Sequence, residues 1–190
     1  MDTLEAIRTR RTIGKSSGEV SRETVRELIE AATWAPNHKL TQPWKFNVIT
    51  GEARVRLGAV WGAAAAAKAD PAARASVAEG EAKKPLRSPA IIVVSTRTDA
   101  NPVTAEEDLT ATAAAVQNML LAATALGLSA AWKTGKIISS PEVKAFLGLD
   151  PSDRIVAFVY LGVDAKEEAP VKLRNVESTI TWMDGVALTV

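Results

Sequence analysis

The chain has 190 residues, 47% of them hydrophobic, enough for one domain with a buried core. Its 23 Lys and Arg nearly balance 22 Asp and Glu, so no overall field recruits nucleic acid or an acidic membrane, and any anion site must be local. Cysteine is absent, which excludes disulfide scaffolds, thiolate nucleophiles, Cys-zinc sites and iron–sulfur clusters, and fits a reducing, cytoplasmic setting.

In chain order, "DTLEAIRTR" predicts a helix, with Asp2 and Glu5 as a capping signal and Leu4 and Ile7 as a short apolar face. It delivers Arg10 and Arg11 at its C-terminal end, and with acids first and no apolar h-region it does not read as a signal peptide. Val20 and Ser21 then occupy staple and cap positions before Val25, Leu28, Ile29 and Ala32, a helical stripe that Pro36 ends. "WKFNVIT" alternates as a strand with one buried face, closed by Gly51. Residues 52–88 are Ala-rich and predict helical pieces around a mobile excursion at about 62–86, since alanine favours helix but offers little to bury.

"AIIVVST" at 90–96 is continuous, apolar and β-branched, which predicts a central strand covered on both faces. Thr104 with Glu107 forms a capping box that opens a helix running to Gly127. Between Ala111 and Leu126 that helix carries no charge, and its length argues for burial against a second subunit. The longest weakly polar run, roughly 109–132, contains Thr, Gln, Asn and Ser and reads as a buried helix followed by a strand, not a membrane span. "LSAAWKT" is a short strand, Ser140 with Pro141 caps a helix ending at Gly148, and "RIVAFVYLG" is the last strong strand. The whole, 1–190, reads as a single α+β domain with a mixed sheet of four to five strands flanked by helices and a polar C-terminal extension at about 163–190.

Several motifs fail on inspection. "IGKSS" imitates the end of a P-loop, but Thr9 stands where the first glycine is required and no strand precedes it. The string GKSSG at 14–18 spells G-x-S-x-G, but no strand leads into it, so it does not support a catalytic serine, and the one histidine, His38, has no carboxylate cluster with which to hold a metal.

Three stretches carry the remaining chemistry. "RTRRT" reads either as a helix end whose cations complement the macrodipole or as a phosphate clamp in which arginine forks are joined by the Thr12 hydroxyl. "AAWKTG" is either a strand end with a buried Trp132 and a snorkelling Lys133, or the partner of that clamp. "APNHKLTQPW" places Asn37, His38 and Lys39 between two prolines; Pro36 breaks the helix and Pro43 restricts Gln42 to extended geometry, so the loop presents its polar residues stiffly.

In that order the three stretches, with the long apolar helix and "RIVAFVYLG", resemble the nitroreductase family of FMN-dependent oxidoreductases, especially its compact members, over nearly the whole chain. Thr12 replaces the more usual Ser, Lys133 stands where Arg is common, and Trp34 occupies a position where some relatives carry Arg. The resemblance implies an entwined homodimer with FMN at the interface. Arg10, Arg11 and Thr12 would hold the phosphate and ribityl chain, with Trp132, Lys133, Thr134 and Gly135 from the same subunit. Trp34, Asn37 and His38 would reach the flavin from the other subunit, and Arg174 in "VKLRN" would add to the phosphate. NADH or NADPH would be the hydride donor and an electron-poor small molecule, a nitroaromatic or quinone, the acceptor, with no catalytic acid or base and no metal. The alternatives are a flavin-binding or sensing protein without turnover, and a specialised flavin-destroying or dehalogenating enzyme of the same fold.

Overall fold

The computed structural model describes residues 1–163 and 174–183. Its elements are α1 (Thr3–Thr9), α2 (Arg22–Thr33), β1 (Trp44–Thr50), α3 (Glu52–Ala66), α4 (Arg74–Ala82), β2 (Ala90–Thr96), α5 (Pro102–Ala125), β3 (Ser129–Lys133), α6 (Pro141–Phe146) and β4 (Arg154–Gly162). The strands form one sheet in the order β1-β2-β4-β3, and every neighbouring pair is antiparallel. The sheet is therefore antiparallel rather than mixed, and the parallel pairing among the described residues is confined to an isolated bridge between Thr12 and Ala130, outside the named strands.

The two-residue period of the strands divides the core between the faces of the sheet. Ile92, Val94, Val159 and Leu161 pack with Leu28 and Ala32 of α2 and Val116 and Met119 of α5. Ile91, Val93, Phe158 and Tyr160 pack on the other face with Leu57 and Trp61 of α3 and Val143 of α6. As its unbroken apolar run predicts, β2 is buried at every position.

Two expectations change. The helix α5 is opened by Asn101, whose side chain accepts from the Val103 amide with Pro102 at the first turn, and not by a Thr104–Glu107 box. Part of α5 is also covered without a second subunit: Ala111, Thr112, Ala115, Val116, Met119, Leu120 and Ala123 are buried within this chain. The residues left half-exposed between them are Ala113, Ala114, Gln117, Asn118, Leu121 and Ala122.

The Ala-rich segment supplies its helical pieces, but they pack rather than project. A Cβ at Gly58 or Gly62 of α3 would run into the carbonyls of Ala82 and Ala78, so these glycines let α4 lie directly on α3. Trp61 completes the contact from the core side, with its indole 4.8 Å from the Phe158 ring.

Candidate functional site

The first half of the site is the turn after α1. Asp2 accepts from the Glu5 amide at 2.9 Å and caps the helix start, as predicted. At the other end Arg11 Nη1 donates to the carbonyls of Arg8 at 2.7 Å and Arg10 at 2.9 Å, so this guanidinium closes the helix in the way the macrodipole favours. The half-buried Arg10 side chain makes no hydrogen bond or ion pair among the described residues. The chain then runs beside β3, where Thr12 bridges Ala130 and the Ile13 amide donates to the Ala130 carbonyl at 3.2 Å.

Two residues further along β3 is Trp132, half-buried, with its indole N–H donating to the Val156 carbonyl at 3.1 Å; the ring face, not the N–H, is what it has to offer a ligand. Lys133 lies over Gly14, with Nζ 3.4 Å from where a Cβ there would sit. Like that of Arg10, the Lys133 side chain has no hydrogen-bonded partner or counter-ion among the described residues. Two cationic side chains without partners among the described residues, Arg10 and Lys133, therefore lie to either side of the Thr12–Ala130 junction, a candidate local anion site. Gly135 follows at φ 121°, a conformation open to glycine, and with the exposed Thr134 lines a cleft of about 320 Å³ beneath α3 and α4.

The second half is the loop between α2 and β1. Lys39, Leu40 and Gln42 adopt φ of 52°, 54° and 43°, so Gln42 is left-handed rather than extended as Pro43 suggested. For such residues this costs ~1–2 kcal/mol each, which surrounding bonds must offset. Asn37 supplies two of them, its Oδ1 accepting from the Gln42 amide at 2.9 Å and its Nδ2 donating to the Ala35 carbonyl at 3.3 Å. Arg97 Nη2 donates to the Thr41 carbonyl at 3.0 Å, and Thr41 Oγ1 donates to Asp108 Oδ1 of α5 at 2.7 Å. These side-chain braces override the local preference of the residue before proline.

The loop holds two exposed rings. Trp34 is 80% exposed. His38 borders an open hollow of about 420 Å³ against Thr110 and Ala114 of α5. No hydrogen bond among the described residues joins this loop to the arginine turn. Arg174 is exposed and likewise has no hydrogen bond or ion pair among the described residues.

Sequence reasoning missed Arg97 and Asp108, because a brace between residues 67 positions apart leaves no local pattern. It also missed the wall that α3 gives the cleft, although Gly58 and Gly62, four apart, are a legible sign of close helix packing.

A cationic turn set beside β3, on a four-stranded antiparallel sheet covered by helices, makes this an α+β domain with a candidate anion site. The chain belongs to the nitroreductase family, whose sequence model matches residues 7–163. It is 36% identical over 166 residues to YdjA of Escherichia coli K12, provisionally named an NAD(P)H nitroreductase, covering 85% of this chain and 88% of that one. YfhC of Bacillus subtilis strain 168, provisionally named in the same way, is 29% identical over 179 residues, covering 91% and 92%. Among solved structures, a nitroreductase-like family protein from Bacillus cereus superposes with a TM-score of 0.87 at 28% identity, over 97% of both chains. A Desulfovibrio desulfuricans chain solved in complex with FMN shares 32% identity with a TM-score of 0.68, over 94% of this chain and 95% of that one.

Proposed function

We propose that the protein is an FMN-dependent oxidoreductase that uses NAD(P)H to reduce electron-poor acceptors such as nitroaromatics or quinones. The observation that carries this reading is the pair of cations, Arg10 and Lys133, left without partners beside the Thr12–Ala130 junction. A dianionic phosphate next to a polarisable ring is the ligand such an arrangement suits, and the relative solved with FMN supports that choice.

The residues divide the work. Arg10 and Thr12 would hold the phosphate, with Arg11 keeping the turn in shape and Arg174 adding a further cation. Trp132 would bound the ring with its face, and Lys133 with the Thr134 and Gly135 amides would favour negative charge developing on the ring's carbonyl edge, as donors in an oxyanion hole do. Trp34 and His38 of the partner subunit would close the site, since their loop points outward in a single chain and Asn37 is already engaged in bracing it. The functional unit is then a homodimer.

When bound, FMN supplies the two-electron hydride chemistry. The overall reaction balances without an enzymic acid: a nitro compound, NAD(P)H and one solvent proton give a nitroso compound, NAD(P)+ and water. Donor and acceptor would occupy the same face in turn, giving ping-pong kinetics. Initial rates with NADPH varied at several acceptor concentrations test this: parallel double-reciprocal lines are expected, and intersecting lines would refute alternate occupancy.

A further inference from the structure

The Ala-rich segment carries no motif of the family, yet it builds one wall of the cleft whose other wall is Thr134 and Gly135. Trp61, 4% exposed, forms the floor, and Ala65 and Val77 leave the sides short. At about 320 Å³ the cleft is at the small end of ligand sites, with room for a single substituted ring.

Its charge is one-sided. Trp61 Nε1 donates to Glu81 Oε2 at 3.1 Å, and the other Glu81 oxygen takes Lys84, so the cleft's only carboxylate among the described residues is fully engaged with one lysine. Lys68 and Lys136 also line the cleft, and their ammonium groups have no hydrogen bond or ion pair among the described residues. Glu142, whose charge reaches Lys68, is already held by Ser140 Oγ. Two exposed cations above an apolar slot complement an anion on an aromatic body.

We infer that this cleft is the acceptor subsite and that it selects small aromatic carboxylates, with Lys68 and Lys136 receiving the carboxylate and Trp61 and the alanines receiving the ring. This rests on the flavin reading above, through the shared Thr134–Gly135 wall.

The test uses FMN-loaded protein and calorimetric titration with benzoate and with its neutral relative benzamide, neither of which can be reduced. Benzoate is expected to bind roughly tenfold more tightly or better, the increment of one charge-assisted contact. Lys68→Met combined with Lys136→Met should bring the two ligands to equal affinity. Ala65→Phe, which fills the slot and leaves the lysines in place, should abolish binding of both. In turnover, the double lysine variant should lose roughly tenfold in the ratio of kcat/KM for 4-nitrobenzoate over nitrobenzene. Equal affinity of the wild type for benzoate and benzamide, or a benzoate preference that survives the double substitution, overturns the inference. If benzoate binds in the lysine-dependent way but neither nitro compound is reduced, the flavin-enzyme reading has failed and the acceptor role falls with it, whereas lysine-independent binding with normal turnover rejects the subsite alone.

Discussion

Thr41 Oγ1 and Asp108 Oδ1 lie 2.7 Å apart, and this single bond ties the loop that carries His38 to the helix α5. Asp108 is buried, 6% exposed, and holds a loop with three left-handed non-glycine residues in place. Asp108→Ala should cost about 1–3 kcal/mol in urea unfolding, the range for a stranded buried partner, and release the loop strain. FMN affinity should fall roughly threefold to tenfold, with Asp108→Asn milder on both counts. An unchanged FMN dissociation constant in the Ala variant would show that loop geometry does not matter to the cofactor.

Arg10 and Arg11 are adjacent but unequal, because the Arg11 guanidinium is bonded to the end of α1 while that of Arg10 is not. Arg10→Ala should weaken FMN roughly 10- to 150-fold, from the ~1.5–3 kcal/mol of a charged hydrogen bond, and hardly touch riboflavin, which has no phosphate. Arg11→Ala should act mainly on stability. Comparable losses for FMN and riboflavin in Arg10→Ala would reject the phosphate assignment.

Assembly and folding can be separated on α5. Ala115 is fully buried within its own subunit, so Ala115→Glu should unfold the chain by burying an unpaired charge. Ala114, half-exposed beside the His38 hollow, should tolerate Glu as a folded monomer that has lost FMN. Sedimentation and circular dichroism of Ala114→Glu check this; a stable dimer with wild-type flavin affinity would place the interface elsewhere.

Much of the fold is legible because its causes are local. The cap at Ser21, the alternation of "WKFNVIT" and the unbroken apolar run at 90–96 each fix an element from neighbouring residues alone. The start of α5 was also written locally, in Asn101-Pro102, but Thr104 and Glu107 fit a competing cap template. What the sequence hides is non-local: the left-handed Gln42 follows from Asn37 and Asp108 bracing its loop, and the burial of Ala115 follows from α2 and the sheet closing over it. The chemistry of the site was visible as residue types, but the division of labour between Arg10 and Arg11 depends on which carbonyls Arg11 reaches.

Alkaline stability should be governed by Tyr160, the chain's single tyrosine, whose phenol burial pushes up to about 12, helped by Glu81 and opposed by Arg87. Below the unfolded value near 10 both states are protonated and the group has no effect. Between about 10 and 12 only the unfolded chain ionises, so stability falls with rising pH, on the order of 2 kcal/mol by pH 12. Phenolate absorbance should titrate late and together with unfolding, and Tyr160→Phe should lose this slope. A phenol titrating near 10 in the folded protein would contradict the burial.

Anaerobic single-turnover reduction of FMN-loaded protein by NAD(P)H, on the wild type and on His38→Ala, tests the central claim most directly. The wild type should bleach its flavin absorbance completely in one turnover. His38→Ala should need roughly tenfold more FMN to load, the ~1.4 kcal/mol of one lost hydrogen bond with its packing, yet bleach at a comparable rate once saturated. A wild type that binds FMN but is not bleached by either nicotinamide would contradict the oxidoreductase assignment, and normal FMN affinity with a rate lowered roughly 10²-fold or more in the variant would make His38 a catalytic acid instead of a binding residue.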